Sequence, residues 1–270
     1  MRALVRLVPL LICVACGQKV ETAAPAPDCD SSVMKCGYQP PGLSTLPTGG
    51  NEGGASSGSN DASTLTGQVL EYGDDFFDRG TAFMGMAMVS ASGQAAARVS
   101  GNYDGTSFQI DGALRSATNW FLVVPADTNA GVLPTITPID TRTITTQMLS
   151  VGAARAQDVL GIYQLSLAST ELSADRAQIV LHVVDSQGHG VSGVLAAFTA
   201  ELVAYRVQAS WIQNQASGTD DSGLIFLGNV MASSVLSTVT VPLSGTMLNA
   251  RVDAMVMAGA VTVVTAEVTP

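Results

Sequence analysis

The sequence predicts an all-β protein: two tandem antiparallel β-sandwiches joined by a short helical segment, after an unstructured N-terminal tether. Three observations lead there. Short apolar or alternating runs, rich in Val, Thr, Ala and Leu, recur from residue 67 onward, the pattern of covered and half-covered strands. Turn signals such as Asp104-Gly105 and Asp111-Gly112 separate them at hairpin spacing. Before them lies a long stretch too poor in apolar residues to offset its ordering entropy.

At the N-terminus, Arg2 and Arg6 bracket and precede an apolar run that ends at Val14. A membrane-spanning helix needs about 20 apolar residues, so this run is too short to span, and its charged start fits a cleavable export signal. Small Ala15 stands before Cys16. The segment Ile12-Cys13-Val14-Ala15-Cys16-Gly17 resembles the cleavage and lipidation signal of bacterial lipoproteins. The resemblance implies a signal peptide over residues 1–15 and an acylated Cys16 as the mature N-terminus. Cys13 departs from it, because that motif usually has Leu there. Cleavage before Cys13 would set bulky Ile12 where a small residue is needed. Each buried methylene contributes about 0.8 kcal/mol, and the two or three chains the resemblance implies hold far more tightly than one. The expected partner at this end is therefore membrane lipid. The expected location is the cell envelope, on the outer membrane.

Residues 16–66 read as the lipidated tether. Pro25, Pro27, Pro40, Pro41 and Pro47 favour extended backbone, and the Gly/Ser/Asn run from Gly49 to Asn60 favours a flexible coil. About fifty such residues reach on the order of 40 Å. Cys29 and Cys36 lie in this stretch. In an exported chain a disulfide between them is the default, closing a short loop for roughly 2 kcal/mol. A zinc site there would need two further ligands.

Residues 67–140 are the first expected sandwich, with runs at Gln68 to Tyr72, Phe83 to Ser90 and Trp120 to Val124. Residues 141–173 are read as a helical connection. Met148, Leu149, Ala153, Ala156, Val159, Leu160 and Tyr163 recur at three- and four-residue steps, which predicts a helix over 145–164 packed between the sandwiches. Gly152 and Gly161 weaken it by about 1 kcal/mol each. Residues 174–270 are the second sandwich. Ile179, Leu181 and Val183 alternate with Val180, His182 and Val184, so both faces of this strand are apolar, as in a strand covered on two sides.

The string Val183-Val184-Asp185-Ser186-Gln187-Gly188-His189-Gly190-Val191-Ser192-Gly193-Val194, followed by Thr219-Asp220-Asp221-Ser222-Gly223-Leu224, resembles bacterial Ig-like and carboxypeptidase-regulatory-like (transthyretin-like) sandwich repeats. A looser likeness is carried by Tyr103-Asp104-Gly105-Thr106-Ser107-Phe108 in the first half. Together these cover residues 66–137 and 174–269. The resemblance implies a fold, and modules used as spacers, adhesion units or accessory domains without catalysis.

Composition narrows the function further. The 270 residues include 12 Lys and Arg against 22 Asp and Glu, a net charge of −10. Such a chain is repelled by nucleic acid and anionic headgroups, so no nucleic-acid partner is expected. Only His182 and His189 are present. Ser192 is followed directly by Gly193, which does not fit the glycine spacing of a nucleophile elbow. Asp74-Asp75-Asp78 and Asp220-Asp221 are clustered oxygen donors without a calcium-loop spacing, and read as turn residues. Trp120 and Trp211 lie inside apolar runs and read as core, not as sugar platforms. No phosphate loop or dinucleotide fingerprint occurs. We therefore expect no catalytic, cofactor or metal residues. The leading expectation is a non-catalytic envelope lipoprotein whose sandwiches serve structure or protein interaction. Two alternatives stand beside it: an adhesin-like surface protein that binds peptide or glycan, and a hydrolase with a carboxylate pair distant in sequence.

Overall fold

A computed structural model of the chain describes residues 62–77, 79–93, 98–114, 118–142, 148–245 and 248–268. The first half forms β1 (Ala62–Tyr72), β2 (Arg79–Ala82), β3 (Ala87–Gly93), β4 (Val99–Tyr103), β5 (Phe108–Leu114), β6 (Asn119–Pro125), β7 (Val132–Leu133), β8 (Thr135–Ile139) and β9 (Leu149–Arg155). Strand β1 starts inside the stretch read as tether. Its first five residues carry one large apolar side chain, Leu65, too few to show alternation in the sequence. Antiparallel pairing with β5 holds them in place.

The turn expected at Asp104-Gly105 forms. Asp104 Oδ1 accepts the backbone N–H groups of Thr106 and Ser107, both at 2.9 Å. Those two bonds, that of Ser107 first, hold its carboxyl below the usual range. The turn expected at Asp111-Gly112 does not form, because both residues lie inside β5. Gly112 adopts φ +75°, and the β1–β5 register shifts between Ser63 and Leu65. A glycine with positive φ serves a bulge as well as it serves a turn, and the sequence does not separate the two.

The expected helix over 145–164 is half strand. Residues 149–155 form β9, parallel to β1, and only Ala156–Leu165 is helical (α1). Leu149, Val151 and Ala153 also recur at steps of two, and all three enter the first core. Gly152 explains the choice. A Cβ there would lie 2.0 Å from the Tyr72 ring, so this glycine lets β9 pass under Tyr72. The helix buries Val159, Ile162 and Tyr163.

The second half contains β10 (Arg176–Val184), β11 (Leu195–Ala196), β12 (Leu202–Val207), β13 (Ser210–Gln213), β14 (Leu224–Met231), β15 (Ser237–Gly245), β16 (Leu248–Val256) and β17 (Val261–Glu267). Strands β13, β12, β14, β10 and β17 lie side by side in that order, and β11, β15 and β16 make a separate sheet. Between the two sheets, Ile179 and Leu181 of β10 join Val241, Leu243, Ala254 and Val256 of β15 and β16 in one apolar cluster. This is a sandwich, and the described structure is nearly all β, as the sequence predicts. Among the described residues three pairings are parallel: β1 with β9, β10 with β17, and β8 with β17. Each joins strands far apart in sequence, as parallel pairing requires.

The β8–β17 pairing, Val261 opposite Thr135 and Thr262 opposite Ile136, carries the sheet of the second half into the first. Strand β6 lies next to β8 and is buried at all seven positions. Its Phe121 and Val123 enter the first core, with Val69, Val89 and Ile110. Its Trp120, Leu122 and Val124 enter the second, with Ile179 and Leu181. One strand thus serves as a wall of both cores.

Candidate functional site

The seam between the halves holds a half-open cavity of about 240 Å³. One side is Val124, Pro125, Thr128, Val132, Leu133 and Pro134, from the end of β6 to the start of β8. The other is Leu172, Ser173, Ala174 and Gln178, with Gly259 from the β16–β17 turn. Local chemistry sets these walls. Pro125 ends β6, and Pro134 separates β7 from β8 without needing a ladder donor. The Pro134 carbonyl accepts the Val261 N–H at 2.8 Å, which ties the two sides together.

A buried polar network holds the Leu172 wall. Gln178 Oε1 accepts the Tyr163 hydroxyl at 2.8 Å and the Asn229 backbone N–H at 2.9 Å. Asn229 Oδ1 accepts the Ser173 N–H at 3.0 Å, and Asn229 Nδ2 donates to the Glu171 carbonyl at 2.6 Å and to Glu201 Oε2 at 3.0 Å. Glu201 in turn lies 3.8 Å from Arg176. Asn229 is a strand residue with φ +52°, beside a register shift in the β10–β14 pairing. Asparagine tolerates that conformation better than most residues. Burial first, then the nearby Glu201 carboxylate, pushes the Tyr163 phenol well above its ordinary pKa, so it stays a neutral donor. The network's polar groups serve one another and the 171–173 loop. What remains for a guest is mostly aliphatic surface.

The residues weighed in the sequence fall elsewhere. Cys16, Cys29, Cys36 and Asp78 lie outside the described residues. His189 is exposed in a turn, where its Nδ1 is 3.6 Å from Asp185 Oδ2. Asp185 Oδ1 caps that turn by accepting the N–H groups of His189 and Gln187. Ser192 is exposed beside Gly193, whose N–H bonds the Thr219 carbonyl at 2.7 Å. Asp220 accepts the N–H groups of Ser222 and Gln208, a turn role, while Asp221 and Asp74 are exposed. His182 is buried on β10, with Nδ1 unpartnered among the described residues and the Phe77 ring edge-on at 4.2 Å. Trp120 and Trp211 are core residues, the latter against Phe226. No group of three or more His, Cys, Asp or Glu is close enough to share a metal among the described residues.

Sequence reasoning missed the seam cavity, because its walls come from three separated segments, 124–134, 172–178 and Gly259. Gly228-Asn229 inside the apolar run Leu224 to Met231 was its readable trace, since Gly-Asn in a buried strand marks a bulge.

No protein-family model and no curated protein matches the chain. Among solved structures it is similar to the Bacillus anthracis TIE protein, at 11% identity and a TM-score of 0.22, covering 77% of this chain and 33% of that one. It is also similar to a streptococcal ancillary pilin, at 11% identity and a TM-score of 0.20, covering 76% and 68%. The chain thus spans about a third of the length of the first of these.

Proposed function

We propose that the protein is a non-catalytic lipoprotein of the cell envelope, held by acyl chains on Cys16, whose folded part is a structural and protein-interaction module. In this reading the seam cavity receives one apolar side chain of a partner protein. The lining of that cavity is the observation that carries the proposal: eleven residues, none with a titratable side chain. General acid–base or nucleophilic chemistry needs such a group within reach of the reacting atom. The volume falls below the 300–1,000 Å³ usual for small-molecule sites and suits a single Leu, Met or Phe. A glycan is disfavoured there, because aliphatic walls leave its hydroxyls unpaired.

Fractionation of cells and mass spectrometry of the mature N-terminus test the anchor. Acylated Cys16 and release of Cys16→Ser into the soluble fraction are expected; an unmodified N-terminus, or a Cys16→Ser protein that still needs detergent, overturns it. Turnover of any peptide, ester or glycoside by the purified full chain overturns the non-catalytic reading.

A further inference from the structure

A second concavity, of about 420 Å³, opens where the end of β1 and the start of β2 meet β8 and β17. It contains a guanidinium that the fold holds from two sides. Arg79 lies over the Tyr72 ring, 5.7 Å from its centroid, and its Nη1 donates to the Ser150 carbonyl. Tyr72 is itself fixed, its hydroxyl 3.2 Å from Thr137 Oγ1 in a buried pair. Among the described residues no carboxylate lies within 4 Å of Arg79, although the chain carries a net charge of −10. The ordered guanidinium retains further N–H donors in the planar arrangement that suits a carboxylate.

The rest of the lining is apolar or short. Phe77 is half exposed, and it is the one aromatic among the exposed large apolar side chains of the described residues. Pro138 and Val263 add aliphatic surface, and Thr265 adds a hydroxyl. Among the described residues no carboxylate or carboxamide lines the groove, so a sugar would find few acceptors there for its hydroxyls. A phosphate dianion would find a single cation. An acid with one charge and an apolar body matches both parts of the lining.

We propose that this groove binds an apolar carboxylate, the chemistry of a peptide C-terminus with a hydrophobic last residue and of a free apolar organic acid. Arg79 takes the carboxylate, and Phe77, Pro138 and Val263 take the apolar body. The site is separate from the seam cavity and does not depend on the reading given to that cavity or on the lipid anchor.

The test is a titration of the full chain in detergent, followed by NMR of the two histidine rings. His182 reports on the groove because its ring touches Phe77, and exposed His189 is the internal control. The probes are N-acetyl-Leu-Phe, the same dipeptide as its C-terminal amide, and 3-phenylpropionate. The dipeptide acid is expected to shift the His182 signals saturably and leave His189 in place, with the amide at least about tenfold weaker. Arg79→Gln is expected to reduce the acid to the level of the amide, Arg79→Lys to retain part of the preference, and Phe77→Ala to weaken acid and amide together. Unshifted His182 signals in ligand-free Arg79→Gln and Arg79→Lys, and a cooperative urea transition in Phe77→Ala, whose lost ring itself moves the His182 signals, establish that the variants are folded. Binding of 3-phenylpropionate as tight as that of the dipeptide upholds the carboxylate site and assigns it to a small acid; weaker binding assigns it to a peptide terminus. Equal affinity for acid and amide, or for wild type and Arg79→Gln, overturns the proposal.

Discussion

Strands β6 and β15 have the same extended backbone and opposite surroundings. All seven residues of β6 are buried, whereas β15 alternates, with Val241 and Leu243 inward and Thr238 and Thr240 in solvent. Strand β10 sides with β6: after its first residue every position is buried. The difference lies in how many layers cover the strand. A strand with one covered face reads as alternation, and one between two cores reads as a continuous apolar run. The Asn119 to Pro125 run therefore marks where one core ends and the next begins.

Substitutions on the two faces of β6 should break this contrast most severely if it is wrong. Phe121→Ala, on the first core, is expected to cost about 3–5 kcal/mol, and Leu122→Ala, on the second, about 2–5 kcal/mol. Because one strand walls both cores, each variant should lower the midpoint of a single urea transition. Two separated transitions, with only one moved by each variant, would mean that the halves are energetically independent. Asn229→Ala comes next. It strands the Gln178 and Glu201 partners and removes the side chain that holds the 171–173 loop, for about 1–3 kcal/mol. Hydrogen exchange should quicken around Ser173 and leave β3 unchanged.

A smaller effect sharpens the contrast through pH. His182 sits at a covered position of β10, and burial pushes its pKa below the ordinary value, against smaller upward contributions from the Ser222 backbone and the Asp75 charge. The unfolded chain then binds the proton more readily than the folded one. Stability from this residue is complete above about pH 6.5, the usual histidine pKa, and is lost as pH falls below it toward the lowered folded value. Comparing urea midpoints at pH 7.5 and 5.5, wild type should lose more than His182→Asn; equal losses would place the acid sensitivity elsewhere. On β15 the expected change is least. Thr240→Val loses an exposed hydrogen bond to Asp253 and should shift stability by no more than about 0.5 kcal/mol by the same measurement.

Much of this was legible from one sequence, and particular residues show why. Alternation and turn chemistry are local, so the β class, the Asp104-Gly105 turn and the core placement of Trp120 and Trp211 could be read directly. Gly112 was misread because a bulge and a turn ask the same φ of a glycine. Residues 149–155 were misread because Leu149 and Ala153 satisfy a helical step and a strand step together. Only the presence of β1 alongside, with Tyr72 over Gly152, decides for the strand. Neither the seam cavity nor the Arg79 groove has a contiguous signature, since each is assembled from segments distant in the chain.

The sequence by itself determined the period of each segment, the sites where the chain can turn, and how little titratable chemistry the folded part holds. The tertiary structure alone decided which strands pair, that three of the described pairs run parallel, and that a single strand closes two cores. Period is a property of neighbours along the chain, fixed by backbone geometry and side-chain burial. Pairing is a choice among partners many residues away, and it is settled only when the competing packings are compared as wholes.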